Sequence, residues 1–88
     1  MNSLRLIKLS RVQDLTALQT TSVYAMVKSG LLTPPIKLTQ RASAWVESEV
    51  LAINAARIAG KSDEEIRNLV RQLISARSDL AVDAKAAA

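Results

Sequence analysis

The side chains best suited to chemistry lie close together in the chain: Thr20, Thr21, Ser22, Tyr24 and Lys28, followed by Lys37 and Arg41. They supply hydroxyl donors and acceptors and fixed positive charge. The 88 residues contain no histidine and no cysteine, so the commonest general base and transition-metal ligand and the thiolate are all missing. Hydroxyls and cations in this pattern suit hydrogen bonding to the base edges and phosphates of double-stranded DNA, not acid–base catalysis. No catalytic residue, metal site or cofactor is expected.

Such side chains need a frame, and the stretch from Ser10 to Gly30 supplies it. Ser10 with Gln13 reads as a capping box opening a short helix that turns Val12 and Leu15 inward. A tight corner follows at Thr16 to Gln19. Thr20, Thr21 and Ser22 provide capping hydroxyls for a second helix, in which Val23, Met26 and Val27 share one apolar face. Gly30 stands where a left-handed C-terminal cap is expected. Together these pieces outline a helix-turn-helix, a shape that carries one helix into a DNA groove.

The flanking segments complete the unit. Leu4 to Leu9 is either a short strand or an apolar lead-in beneath the first helix. Pro34-Pro35 forbids helix and enforces an extended passage. Ile36-Lys37-Leu38 and Ala42 to Trp45 then flank the polar tip Thr39-Gln40-Arg41, which reads as a β-hairpin wing carrying Lys37 and Arg41. A third helix runs from about Val46 to Ala59, with Val46, Val50 and Ile53 closing the core alongside Trp45, and Leu51, Ala55 and Ile58 forming a second stripe. Ser62 with Glu65 forms another capping box and opens a fourth helix to about Arg77, with Ile66, Leu69, Val70, Leu73 and Ile74 repeating at amphipathic spacing. The fold class is therefore mainly α, a winged helix-turn-helix over residues 1–60 with a C-terminal amphipathic helix over 61–80 and a tail, 81–88, expected to be disordered.

Charge is unevenly shared. The net charge is +4, but residues 1–45 carry six cations against Asp14 alone, and residues 46–88 carry six cations against seven acids. A one-sided basic field steers a protein toward polyanions and gives sequence-independent affinity through counterion release. Arg5 and Lys8 interrupt the N-terminal apolar run before a signal-peptide core develops, and no stretch approaches a membrane span. A cytoplasmic location without membrane contact is expected.

The order Leu4-Arg5-Leu6-Ile7-Lys8-Leu9, Val12, Leu15-Thr16, Leu18, Tyr24, Lys28-Ser29-Gly30, Pro35-Ile36-Lys37-Leu38, Arg41, Trp45 and Glu49-Val50 resembles the AlpA family of phage and mobile-element regulators. The resemblance covers residues 4 to about 59 and implies a fold like that of excisionases and the MerR-type DNA-binding domain. It further implies an activator of integrase expression or a recombination directionality factor. By this resemblance the second helix would be the reader, with Thr20, Thr21, Ser22, Tyr24 and Lys28 as contacts, and Lys37 and Arg41 would be wing contacts. Three positions depart from the family pattern: Ala17 where glycine is typical, Gln19 where a capping serine is common, and Ala25 where arginine is frequent. The alanine is expected to cost little in a right-handed conformation, with Thr20 taking over the cap. The missing arginine removes a contact worth roughly 1–3 kcal/mol if it reads a base.

Each of these side chains also has a plainer role open to it. Lys28 can simply complement a helix C-terminus, and Tyr24 can pack on the wing. The stripe Ile66, Leu69, Val70, Leu73 and Ile74 either folds back on the third helix or pairs with a second copy, and the small core expected of residues 1–60 favours self-association. Expected partners are DNA, a second copy, and integrase or RNA polymerase. The alternative is a protein-interaction adaptor of antitoxin or antirepressor type acting through the C-terminal helix.

Overall fold

Ala17 is the corner on which the first half of the fold turns. Its φ of 59° and ψ of 26° place it in the left-handed region, which an L-residue occupies at a cost of roughly 1–2 kcal/mol. The expectation of an inexpensive right-handed alanine is thereby overturned. The computed structural model describes residues 4–87, with side chains described through Asp79. In chain order the elements are β1 (Leu6–Ile7), α1 (Leu9–Thr16), α2 (Thr20–Lys28), β2 (Ile36–Lys37), β3 (Ser43–Val46), α3 (Glu47–Ile58) and α4 (Asp63–Ala87).

The caps of α1 and α2 differ from those expected. α1 begins at Leu9, with the Lys8 carbonyl accepting from the Val12 and Arg11 amides. Ser10 is thus already inside the first turn, and no side chain caps the helix. α2 likewise begins at Thr20 itself, after an extended Gln19 that makes no side-chain cap. At its other end, Gly30 at φ 80° donates to the Val27 carbonyl and Leu31 to that of Met26. This is a Schellman stop, which requires a residue that tolerates positive φ. α3 ends in the same way, Gly60 donating to Arg57 and Lys61 to Ala56.

The three strands form one antiparallel sheet in the order β1-β3-β2. Ile7 pairs with Trp45 and Leu6 with Val46, while Ile36 pairs with Ala44 and Lys37 with Ser43. Within the lead-in from Leu4 to Leu9, Leu6–Ile7 is therefore a strand while Leu9 already opens α1, and β2–β3 is the expected hairpin. Its glycine-free tip is held by Leu38 donating to the Ala42 carbonyl and by the Arg41 amide donating to Thr39 Oγ1. The architecture is a mainly α winged helix-turn-helix with a hairpin wing and a C-terminal helix.

The core gathers Ile7, Val12, Val23, Leu31, Leu32, Trp45, Val50 and Ile53, and α4 contributes Ile66 and Val70. Ile66 is 1% exposed, and Leu69 and Leu73 pack against the same cluster, so the amphipathic face of α4 folds back on its own chain. Of the five residues proposed for self-association, Ile74 alone is exposed. The α4 backbone continues to Ala87, beyond the expected end near Arg77. Side chains of the expected disordered tail, 81–88, lie outside the described residues. Leu51, Ala55 and Ile58 form an exposed stripe on α3. Among the described residues, no helix is long and apolar enough to cross a membrane.

Candidate nucleic-acid interface

α2 owes its outward face to helical spacing. Val23 is buried and Met26 and Val27 pack against the core, which turns Thr21, Tyr24, Ala25 and Lys28 to solvent at i, i+3, i+4 and i+7. Thr20 and Ser22 are also exposed. On the wing, Lys37 stands at the end of β2 and Arg41 at the tip, both exposed. Among the described residues, none of these seven side chains makes a hydrogen bond or ion pair within the chain. Tyr24 has an aromatic partner, its ring centroid 6.0 Å from that of Trp45 and tilted by 58°. The tyrosine thus packs beside the Trp45 ring of β3 while 47% of the residue stays exposed.

Several contacts fix α2 and the wing to the body. The Asn54 amide on α3 donates to the Leu15 carbonyl at 2.7 Å, satisfying an orphan acceptor near the end of α1. The Trp45 indole N–H donates to the Thr33 carbonyl at 3.0 Å, tying β3 to the passage that precedes the wing. Thr33 Oγ1 itself is buried without a partner among the described residues.

The strongest tie was not legible as a motif. Glu49, 2% exposed on the first turn of α3, receives Arg77 from α4 in a fork: Nε to Oε2 at 2.8 Å and Nη2 to Oε1 at 2.7 Å. The same Nη2 reaches the Pro34 carbonyl at 2.8 Å. Sequence reasoning named Glu49 only within the AlpA-like pattern and gave it no partner, because a residue 28 positions away leaves no local signal. A second arginine, Arg67, donates from Nε to the Ser29 carbonyl at 2.9 Å. A Cβ at Gly30 would stand 3.7 Å from Arg67 Cγ, an ordinary contact, so the glycine answers to its φ and not to lack of space.

Two cavities lie elsewhere among the described residues. One of about 110 Å³ lies beneath the α1–α2 corner, bordered by Leu18, Met26, Ile53 and Arg57. Another of about 160 Å³ is bordered by Leu4, Leu6, Ile36, Val46 and Arg77. Both are mostly apolar, and both lie apart from the seven hydroxyl, phenol and basic side chains.

The stretch that carries the hydroxyl-rich exposed helix, the basic hairpin and the N-terminal strand matches the sequence pattern of a known family. The family described as prophage CP4-57 regulatory protein (AlpA) matches residues 5–52, more than half of the chain. The chain belongs to the AlpA family. The matched segment contains α1, α2, the wing and the first turns of α3, and stops before α4. A protein described as uncharacterized protein ORF88 of Enterobacteria phage P4 is 33% identical over 57 residues, covering 65% of this chain and 65% of that relative's own length, just under two thirds. No solved structure matches the chain. Membership places the protein among AlpA-type phage regulatory proteins.

Proposed function

We propose that this AlpA-family protein is a sequence-specific DNA-binding regulator that controls transcription, such as that of an integrase gene, or directs excision of a mobile element. α2 lies in the major groove, where Thr21, Ser22 and Tyr24 meet base edges and Thr20 and Lys28 meet phosphates. Lys37 and Arg41 reach the adjacent backbone or minor groove. The observation that carries this reading is the exposure of all seven side chains on α2 and the hairpin, unengaged by hydrogen bonds or ion pairs within the described chain, on the half with the positive excess. One reading helix gives modest affinity, so several copies act side by side on repeated sites. Integrase or RNA polymerase is the partner through which the outcome is expressed. The adaptor alternative would need a face of α4 that already packs on α3.

The test is the salt dependence of binding to the DNA upstream of the protein's own gene and to an unrelated duplex. Neutralising about four phosphates gives a slope of log affinity on log salt near −3.6, and a Lys28→Ala, Arg41→Ala variant loses roughly 1–2 units of that slope. Tighter binding to the upstream duplex supports a sequence-specific reader. Absence of binding to both duplexes at low salt overturns it.

A further inference from the structure

We propose that α4, which lies outside the family-matched segment, is a positioning strut that sets the reading helix and the wing at a fixed spacing through Arg67 and Arg77. The inference rests on the DNA-binding reading above and adds to it a role for a part of the chain outside the family-matched residues 5–52.

α2 and β2 are joined by the segment from Ser29 to Pro35, whose middle is held by the buried Leu31, Leu32 and Thr33. The ends of that segment decide where the reader stops and where the wing starts. Arg67 bonds the Ser29 carbonyl, the last acceptor before the Gly30 turn. Arg77 bonds the Pro34 carbonyl, two residues before β2, and grips Glu49, three residues after β3. One guanidinium therefore clasps both roots of the hairpin while another, ten residues earlier on the same helix, holds the end of α2. Ten helical residues place these attachment points about 15 Å apart on a rigid rod. The five peptide steps from Ser29 to Pro34 could extend to about 17 Å or coil to much less, so the linker alone does not dictate the spacing.

The chemistry suits this task. A planar guanidinium fork donates to two carboxylate oxygens and a carbonyl at once, which fixes direction as well as distance, whereas a lysine would supply charge without geometry. Neither arginine lies among the seven candidate contacts, so each acts on DNA only through the elements it holds. Major-groove and wing contacts must be made together for the wing to contribute affinity, and a loosened wing loses its contribution as an effective-concentration term.

The cysteine-free chain allows a direct measurement. Nitroxide labels on Ala25→Cys in α2 and Gln40→Cys at the wing tip, both exposed positions, report the reader-to-wing distance by pulsed electron resonance. In the otherwise natural chain a single narrow distance is expected. Arg77→Gln and, separately, Arg67→Gln should broaden or shift it, with circular dichroism confirming that the helices remain. Arg67→Gln removes only an exposed hydrogen bond and keeps the experiment decisive if Arg77→Gln does not fold. In parallel, Lys37→Ala with Arg41→Ala should remove about 1–2 units of salt slope from the natural chain but under about 0.5 from the Arg77→Gln or Arg67→Gln chain. Unchanged label distances with a full wing effect in the folded variants overturn the strut. The distances need no DNA, so failure of the natural chain to bind any duplex would instead sink the reading on which the strut's purpose rests.

Discussion

The starts of α2 and α4 both offer side-chain hydroxyls to the backbone, but α4 alone follows its serine with acids, Asp63, Glu64 and Glu65, and the two end in opposite states. α4 opens on a closed circuit: Ser62 Oγ accepts from the Glu65 amide at 3.2 Å, and Glu65 Oε1 accepts from the Ser62 amide at 3.1 Å. α2 opens with three exposed hydroxyls, Thr20, Thr21 and Ser22, and none caps the helix. The same contrast runs through the arginines and lysines, with Arg67 and Arg77 tied to carbonyls and a carboxylate while Lys28, Lys37 and Arg41 project unengaged. The lesson is a division of labour. Apart from the buried Thr33 Oγ1, the polar groups that tie α4 to the body are paired, while those on α2 and the wing stay exposed and open to solvent.

The largest expected effect comes from breaking the closed side. Glu49→Ala strands the Arg77 guanidinium and should cost about 3 kcal/mol, at the low end for a broken buried pair because the Arg77 side chain keeps 22% exposure. Urea denaturation with an unchanged m-value would show it, and a loss under about 0.5 kcal/mol would reduce the clasp to an ordinary surface pair.

The two helix starts can be set directly against each other. Ser62→Ala removes a working cap and should destabilise by about 1 kcal/mol, whereas Thr20→Ala should leave stability within about 0.5 kcal/mol while weakening DNA binding. Equal losses from the two substitutions, read by thermal melts, would erase the contrast. Ala17→Gly sharpens it from the other direction by relieving left-handed strain near the reader. A gain of about 0.5–1 kcal/mol is expected after glycine's greater unfolded-state freedom is offset.

The smallest effect concerns protons. The Glu65 carboxyl is held below its ordinary value, first by the Ser62 backbone amide, then by the Ser62 hydroxyl, with Lys61 assisting. A folded pKa below the unfolded one means that the contribution is complete above the ordinary carboxylate range. It fades as pH falls through that range toward the lowered value. The Ser62 amide resonance should titrate with a midpoint below that of a free glutamate, and the transition should vanish in Glu65→Gln.

The helices, the hairpin and the Gly30 stop were legible because their signals are local: apolar spacing, a double proline, a glycine after a basic last turn. The Ser62–Glu65 box was legible for the same reason and is closed in the structure. Ser10 misled because a capping pattern also fits inside a first turn, and the helix began at Leu9 when the Lys8 carbonyl took the first bonds. Ala17 misled because alanine carries no mark of the left-handed state that the corner imposes on it. The ties by Asn54, Arg67 and Arg77 span 28 to 43 positions and depend on how α3 and α4 dock. No periodicity encodes such pairings. Among the candidate contacts on α2, the exposure of Thr21, Tyr24 and Lys28 followed from helical spacing, since burying Val23 settles which side chains that helix turns outward.

The tilted pair formed by Tyr24 and Trp45 also makes the molecule its own optical instrument. The chain has one tryptophan and one tyrosine, and their ring centroids lie 6.0 Å apart, close enough for light absorbed by the phenol to be emitted by the indole. The donor sits on the helix proposed to read DNA and the acceptor in the strand behind it. Excitation spectra of the unlabelled protein can therefore follow, in real time, whether the phenol swings away from its neighbour as a duplex arrives.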